Sequence, residues 1–472
     1  MNDPWHLLID LAIILILLLG IWRFTTPQTA RSGNFTAAFA LLCALGVVFY
    51  GNSIHAPATV LLALLAGSAL GSLVAVRVNM IQIPAMVAFQ HGAGGIAAFL
   101  TSFVELARDS GNLAPVGQLS GVLGIVIGAA TFSGSMVASA KLAGVTRQTP
   151  LILPWHNWIL GATLVGICAL GLLAGFASGP AVLYGALGLI LLASVLGVVF
   201  AIRIGGADMP VLISFLNATA GLAASFCGII IENRLLIACG ATVAASGSIL
   251  THIMCQAMNR NLFRVLVAAD LRPATAAVQV HESSAPPQVR AAAPEAGPPA
   301  GSTPIERAVQ AVRSAQTVIV IPGYGMALAH AQFEVAKLAD RVKQLGKELR
   351  FAIHPIAGRM PGHMHVLLAE AEVDSDLLFD LREINADFPR TDLVLIVGAC
   401  DVVNPAAIHV QGTPISGMPI LAAHEARQVL VFNMDEKPGY SGVANPLYAD
   451  PKTILVLGDA KATLGQLLQV LA

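Results

Sequence analysis

The sequence predicts a bundle of about nine membrane-spanning helices followed by an α/β Rossmann-like dinucleotide-binding domain. Residues 1–265 form almost continuous apolar segments. Residues 304–472 alternate short apolar runs with helical patterns, and the first run leads into a glycine-rich turn at Gly323. Between them, residues 266–303 are rich in proline and alanine, a composition that predicts an extended linker.

The composition sets bounds on function. The chain is 56% hydrophobic and 11% charged, whereas a soluble domain is typically about a quarter charged. The net charge of −1 gives no support to a nucleic-acid-binding function. The six cysteines are scattered without metal-ligand spacing, so they indicate small buried side chains, and no metal site is predicted.

The apolar segments are long enough to cross a membrane, which requires about 20 mostly apolar residues. The nine predicted spans are 5–22, 35–51, 58–76, 83–104, 117–140, 157–175, 180–201, 209–231 and 235–255. Basic residues in short connections favour the cytoplasmic side. If the N-terminus lies outside the cell membrane, only two of these basic residues lie outside, Arg108 and Arg234. The eight on the cytoplasmic side are then Arg23, Arg31, Arg77, Lys141, Arg147, Arg203, Arg260 and Arg264. The C-terminal domain is therefore expected in the cytoplasm.

Two strongly polar residues lie in the middle of predicted spans, His91 in the fourth and Asn217 in the eighth. Such groups are costly at membrane depth and usually line a polar path or pair with one another. Histidine also titrates near neutral pH and can relay protons. From these residues alone, a proton path and a helix–helix hydrogen bond that serves packing are both open.

The soluble half begins at a predicted helix start. Thr303-Pro304-Ile305-Glu306 combines a capping hydroxyl, proline at the first helical position and glutamate three residues after the cap. The predicted strands are Thr317–Ile321, Leu349–Ile353, Leu393–Val397, Val429–Phe432 and Ile454–Leu457, with helices at Ala327–Leu345 and Ala460–Leu471. Strands that alternate with helices predict a parallel sheet covered on both faces.

The turn Gly323-Tyr324-Gly325 follows the first strand directly and opens a helix, as a phosphate-binding glycine loop does. Alanine replaces the third glycine of the usual motif, and an ordinary tight turn is the alternative. The second strand ends in His354-Pro355, without the acid that normally binds a ribose hydroxyl. A dinucleotide is therefore not expected to lie in the usual orientation.

Three further loops follow strands, where open α/β sheets bind ligands. Residues 357–363 include Arg359, which either reaches a phosphate or is a solvated surface side chain. Residues 398–405 follow the third strand. Residues 435–446 carry Gly439-Tyr440-Ser441-Gly442, which is either a lid or an ordinary turn.

These segments resemble the beta subunit of proton-translocating NAD(P) transhydrogenase. The similar motifs are Gly323–Ala327, residues 357–364, 401–407 and 439–447, Gly458–Lys461, and in the membrane half His91, Asp208-Met209-Pro210, Asn217 and residues 254–260. The resemblance covers nearly the whole chain except the linker. It implies a subunit of a bacterial inner-membrane enzyme that binds NADP(H), with NAD(H) on a separate alpha subunit. Hydride then passes directly between the nicotinamides, driven by inward proton movement, and the subunit is active only with its partner. The family also suggests two beta subunits in each complex.

The resemblance assigns roles by position. His91 and Asn217 would belong to the proton path, and Asp401 to the loop that senses redox and proton state. The dinucleotide would lie in a flipped orientation, and Tyr440 in the lid over it. The implied cofactor-binding residues are Gly323, Tyr324, Gly325, Met326, Ala327, Gly358, Arg359, Met360, Pro361, Gly398, Ala399, Asp401, Asn433, Met434, Lys437, Gly439, Tyr440, Asp459 and Ala460.

The sequence departs from the family after the strand Val429–Phe432. Many members carry Lys-Arg-Ser there, whose cations bind the 2′-phosphate of NADP, but this chain has Asn433, Met434 and Asp435. A phosphate monoester favours arginine or lysine, and a carboxylate repels it. Lys437 is the nearest replacement, and Asn433 can donate a hydrogen bond. The preference for NADP over NAD is therefore an expectation from the resemblance.

Two other functional classes stay open. A transporter or channel with a nucleotide-sensing domain would also join membrane spans to a dinucleotide fold, but it would not require an NAD(H)-binding partner. A membrane-anchored dehydrogenase would need an organic substrate pocket with acid–base residues, and the soluble half offers no convincing set.

Overall fold

The computed structural model describes residues 4–23, 27–51, 54, 56–109, 113–147, 150–176, 180–205, 208–258, 262, 303–360, 362–411 and 413–471. The chain forms two compact units. We call Met1–Met258 with Gly358–Asp376 the helical unit, and Asn259–Ala357 with Leu377–Ala472 the sheet unit. The predicted linker falls outside the described residues, except for Thr303 at its end.

The helical unit contains nine helices, among its described residues, that are long and apolar enough to cross a membrane. They are α1 (Pro4–Trp22), α2 (Pro27–Gly51), α3 (Pro57–Arg77), α4 (Ile83–Asp109), α5 (Pro115–Leu142), α6 (His156–Phe176), α7 (Pro180–Ile202), α8 (Met209–Ile230) and α9 (Arg234–Ala257). The nine predicted spans are confirmed. Most of their ends lie within two residues of the prediction, but α2 begins eight residues earlier and α4 ends five residues later.

Helix α5 packs against α4, α7 and α8, and α9 packs against α8; small residues bring these backbones close. A Cβ on Gly95 of α4 would lie 2.8 Å from the carbonyl oxygen of Gly128 on α5. One on Gly247 of α9 would lie 2.7 Å from the backbone nitrogen of Ala218 on α8. The glycine- and serine-rich composition of these spans therefore has a packing role.

The sheet unit is built on six parallel strands. They are β1 (Thr317–Pro322), β2 (Glu348–Ile353), β3 (Leu378–Asp380), β4 (Leu393–Val397), β5 (Gln428–Asn433) and β6 (Thr453–Leu457). The spatial order is β3-β2-β1-β4-β5-β6, so the order reverses between β1 and β4. This doubly wound arrangement confirms the predicted Rossmann-like fold.

One face of the sheet packs into a buried apolar cluster. Ile319 and Ile321 of β1 lie in it with Val394 of β4 and Val431 of β5, and Phe388 is buried among them. Strand residues two apart share a face, so this alternation follows from the pleat of the strands. Because the strands are parallel and buried, their carboxyl ends lie side by side at one edge of the sheet.

Helices of the sheet unit complete its layers. They are α10 (Pro304–Ser314), α11 (Tyr324–Leu328), α12 (Gln332–Gln344), α14 (Leu381–Ile384), α15 (Ala406–His409) and α16 (Ala460–Leu471), while α13 (His363–Glu370) belongs to the helical unit. Helix α10 begins with the predicted capping box. Thr303 N donates to Glu306 Oε2 at 2.8 Å, and Glu306 N donates to Thr303 Oγ1 at 3.3 Å.

Two sequence predictions need correction. The expected continuous helix Ala327–Leu345 is wrong, since α11 ends before His330, whose φ of 50° is left-handed and cannot continue a right-handed helix. The five predicted strands omit β3, which has only three residues and none of them buried. A run that short has no periodicity to detect.

Candidate functional site

The glycine loop after β1 packs directly against the loop after β4. Gly323 N donates to Val397 O and Gly325 N donates to Gly398 O, both at 2.8 Å. A Cβ on Gly323 would overlap the carbonyl oxygen of Gly398 and lie 2.5 Å from the Cα of Ala399. Gly398 itself has a φ of 68°, which favours glycine. Glycine is therefore required at these positions so that the two loops can meet where the strand order reverses.

Asp401, in the loop after β4, forms hydrogen bonds with the predicted lid. Its carboxylate accepts a hydrogen bond from Ser441 Oγ at 2.6 Å and another from Ser441 N at 3.1 Å. A Cβ on Gly439 would lie 2.8 Å from Asp401 Oδ2, so the lid backbone rests against this carboxylate. Burial raises the pKa of Asp401, and the Ser441 hydrogen bonds partly offset that rise.

Two aromatic rings stand at the rim of these loops. The ring centroids of Tyr324 and Tyr440 are 6.0 Å apart, with the ring planes tilted by 43°. Tyr440 is about half exposed. The predicted residues Tyr324, Asp401 and Tyr440 come from three different loops, and the fold brings them together.

Asparagines that the sequence prediction did not select hold the loops in place. Asn404 is fully buried and donates to Val443 O at 3.3 Å and Ala444 O at 3.2 Å, which ties the β4 loop to the end of the lid. Asn445 donates to Cys400 O at 3.1 Å. Their only sequence signal is that amide side chains commonly bond to loop backbone, and it does not identify the partner.

The end of β5 carries the residues that replace the family's basic pair. Asn433 is buried, and its Nδ2 donates to Ala399 O at 3.1 Å and to the Tyr448 hydroxyl at 2.7 Å. An amide nitrogen has two hydrogens, so both are already used. Met434 is exposed, and Lys437 Nζ lies 3.1 Å from Asp435 Oδ2 in a surface ion pair.

Buried groups around this network stay protonated at neutral pH. Burial raises the pKa of the Cys400 thiol and that of the Tyr448 hydroxyl. Tyr448 OH donates to Ala399 O at 3.2 Å. Neither group is therefore prepared to act as a nucleophile, and both serve to shape the β4 loop.

At the end of β2, where dinucleotide folds usually carry an acid for the ribose, this chain has a buried histidine. His354 Nε2 contacts Pro419 O at 2.8 Å, and Nδ1 accepts from Ile356 N at 3.2 Å. Burial lowers the pKa of His354 to about 4, so the ring is neutral and donates from Nε2. Both ring nitrogens are used inside the protein.

The remaining predicted cofactor residues lie in two places. Gly358, Arg359 and Met360 belong to the helical unit, where Arg359 N donates to His363 Nδ1 at 3.2 Å; Pro361 lies outside the described residues. After β6, Asp459 Oδ1 accepts from Ala462 N at 3.0 Å, so this carboxylate caps α16, and Ala460 is the first residue of that helix. Met326 and Ala327 are fully buried in α11.

In the helical unit, polar side chains lie where α4, α5 and α8 pack together. His91 is half-buried on α4, and the neighbouring Gly92 faces α5, where a Cβ would lie 3.2 Å from the Cβ of Ser135. Thr131 Oγ1 of α5 donates to Thr219 Oγ1 of α8 at 2.9 Å. Asn217 is half-buried on α8, and because it is two residues before Thr219 it does not share a helix face with it. His91 and Asn217 thus lie on two helices, α4 and α8, that both pack against α5.

Comparison with known proteins agrees with this architecture. Residues 7–470 match the family described as NAD(P) transhydrogenase beta subunit. Two relatives named NAD(P) transhydrogenase subunit beta, both from Rhodospirillum rubrum, are 39% identical over 464 residues, which cover 97% of this chain and 97% of each relative. The described residues supply nine apolar helices and a doubly wound parallel sheet, and this chain belongs to the NAD(P) transhydrogenase beta subunit family.

Proposed function

We propose that this chain binds NADP(H) and couples hydride transfer between NADH and NADP⁺ to inward proton movement across a bacterial inner membrane. The observation that carries the proposal is the convergence of the β1 loop, the Asp401 loop and the lid at the reversal of strand order. Open α/β sheets bind dinucleotides at this position. The family adds nicotinamide nucleotides as the class of ligand.

The residues present fit a dinucleotide. Gly323, Gly325 and Gly398 let the β1 and β4 loops meet at the switch point, which is where such folds bind a pyrophosphate. Tyr324 and Tyr440 offer two rings at the rim. We propose that Ala399, Gly439, Asp459 and Ala460 contribute backbone around the same edge, and that Gly358, Arg359, Met360 and Pro361 contribute phosphate contacts. Asn433 would then hold the β4 loop in place through its hydrogen bond to Ala399 O. Met434 and Lys437 would lie beside the ribose.

NADP(H), when bound, would supply the hydride chemistry, so the chain needs no acid or base of its own for that step. The protein's tasks are to bind the nucleotide, to close the lid and to exclude water. Asp401 is placed for this, because its carboxylate holds Ser441, next to Tyr440, in the lid. Protonation of Asp401 would remove the charge that strengthens these bonds and so loosen the lid.

Coupling to the membrane requires that proton occupancy changes cofactor affinity. We propose that His91 and Asn217 form part of the proton path, since both are polar groups on packed membrane helices. Allosteric coupling between sites is typically 1–3 kcal/mol. A proton-motive force of roughly 150–200 mV supplies about 3.5–4.6 kcal/mol per proton, at about 2.3 kcal/mol per 100 mV. The two magnitudes are compatible.

The beta-subunit name implies an alpha-subunit partner, and we propose that this partner brings the NAD(H) site and that activity requires both chains. We further propose two beta subunits in each complex. The basic residues of the short connections support an N-terminus outside and a cytoplasmic C-terminal region.

The test uses the full-length chain in lipid nanodiscs, with and without its alpha subunit. Calorimetry with NADPH, NADP⁺, NADH and NAD⁺ should show binding of NADP(H) to the beta chain alone. In liposomes that contain both subunits, the pH of the lumen should change only while NADH and NADP⁺ react. Proton or solute movement that needs no cofactor turnover would favour a nucleotide-gated transporter, and an absence of dinucleotide binding would contradict the proposal.

A further inference from the structure

The two sides of the switch point differ in what they offer to a ribose. A dinucleotide that crosses between β1 and β4 places its ribose rings towards the neighbouring strand ends, those of β2 and β5. At the end of β2, the His354 ring is buried and both nitrogens bond to backbone. At the end of β5, Asp435 and Lys437 are exposed. The end of β5 therefore offers exposed charged groups to a ribose substituent, whereas His354 at the end of β2 has no free ring nitrogen to offer.

In the segment 433–446, which follows β5, Lys437 is the only lysine or arginine. The Asn433 amide faces inward and its hydrogens are used, so it does not substitute for a missing cation. Met434 carries no charge. Recognition of a phosphate by this segment therefore depends on one ammonium group.

That ammonium group already has a partner. Lys437 Nζ lies 3.1 Å from Asp435 Oδ2, and Lys437 N donates to Asp435 Oδ1, also at 3.1 Å. The second bond fixes the turn, so the carboxylate stays close to the lysine stem whatever the side chain binds. The Lys437 side chain is 83% exposed and free to reorient towards a ligand.

We propose, on the basis of the function proposed above, that Lys437 and Asp435 act as an opposed pair that sets the selectivity between nucleotides with and without a 2′-phosphate. Lys437 attracts the phosphate, which carries a charge near −2, and Asp435 both competes for the ammonium group and repels the phosphate. A 2′-hydroxyl experiences neither effect. Preference for NADP(H) over NAD(H) is therefore moderate, and a single substitution shifts it in either direction.

The test is calorimetric titration of the full-length chain in nanodiscs with NADP⁺ and NAD⁺, for the wild type, Lys437→Gln and Asp435→Asn. Lys437→Gln should weaken NADP⁺ binding by about tenfold and change NAD⁺ binding less than twofold. Asp435→Asn should strengthen NADP⁺ binding several-fold with the same small effect on NAD⁺. Lys343→Gln, an exposed lysine on α12, is the control for a general loss of positive charge.

The possible failures are distinguishable. If the wild type binds neither nucleotide, the proposed function fails, and this inference with it. If NADP⁺ binds but Lys437→Gln leaves its affinity unchanged, or weakens both nucleotides equally, only the selectivity role is overturned. A loss of NAD⁺ affinity in Asp435→Asn would also overturn it, since Asp435 would then be a ligand of the ribose hydroxyls.

Discussion

Ser441 donates two hydrogen bonds to the carboxylate of Asp401, one from its hydroxyl at 2.6 Å and one from its backbone nitrogen at 3.1 Å. The two residues are 40 positions apart in sequence. This pair joins the β4 loop to the segment that carries Tyr440.

Removal of the Ser441 hydroxyl should move the pH dependence of NADP(H) binding to higher pH. Burial already raises the pKa of Asp401, and the Ser441 bonds lower it by stabilising the charged form. Ser441→Ala removes the stronger bond, so the pKa of Asp401 rises further and protonation occurs at higher pH. The measurement is NADPH affinity from pH 5 to 9 in the wild type and the variant. Ser314→Ala, whose hydroxyl bonds within its own helix, should leave the midpoint unchanged; a downward shift in Ser441→Ala would contradict this account.

A methyl group on Gly323 should disrupt the contact between the β1 and β4 loops. Its Cβ would meet backbone atoms of Gly398 and Ala399, which cannot move aside as a flexible side chain can. We expect Gly323→Ala to destabilise the fold by about 1–3 kcal/mol and to weaken dinucleotide binding. Gly465→Ala in α16 is the matched control. Its Cβ would enter open space, so it should stabilise by about 0.5–1 kcal/mol. Thermal unfolding and calorimetry measure both effects, and equal behaviour of the two variants would refute the packing argument.

Acid should destabilise the sheet unit through His354. Its folded pKa of about 4 lies below the value near 6.5 of an unfolded chain, because burial disfavours the charged ring. The stabilisation is therefore complete above pH 6.5 and is lost as the pH falls towards 4. The loss reaches about 3 kcal/mol, at about 1.36 kcal/mol per pH unit.

The variant His354→Gln separates this titration from other acid effects. Glutamine can still donate to Pro419 O but does not titrate, so the variant should be less stable at pH 7 and less sensitive to acid. Melting temperatures of the full-length chain between pH 7.5 and 4.5 test this. His409→Gln, at an exposed position, should follow the wild type at every pH. A parallel loss of stability in wild type and His354→Gln would exclude His354 as the cause.

Substitution of His91 should separate proton movement from cofactor binding. His91→Asn keeps a hydrogen-bonding side chain on α4 but removes the titratable ring, and proton relay by a positioned group typically contributes 10²–10⁴-fold. We expect proton transport in liposomes to fall by about 100-fold, while NADPH binding persists. His252→Asn on α9, whose ring pairs with Gln256 at 3.0 Å, is the control. Undiminished transport in His91→Asn would show that His91 serves packing alone.

The architecture could be predicted because its signals are local. A membrane span is an unbroken apolar stretch, and the capping box at Thr303 and Glu306 needs only four neighbouring residues. Strands β1, β2, β4, β5 and β6 were detectable as short apolar runs between helical patterns. The three-residue strand β3 gave no such signal, since it forms only by pairing with β2. The left-handed turn at His330 gave none either, because it is made by a histidine instead of the glycine that usually marks such a position.

The candidate site could likewise be predicted only in part. Residue types and loop positions were enough to select the loops that hold Gly323, Asp401 and Tyr440, because ligands bind at the carboxyl ends of parallel strands. The choice of Asp401 within its loop came from the resemblance. The chain alone gave no indication that Ser441 would bind Asp401, or that Asn433 would face inward and leave Lys437 to Asp435. Such pairings depend on the strand order and on how loops from separate strands pack. Helix and strand periodicity are properties of neighbouring residues, whereas contacts between residues tens of positions apart exist only once the sheet has brought them together.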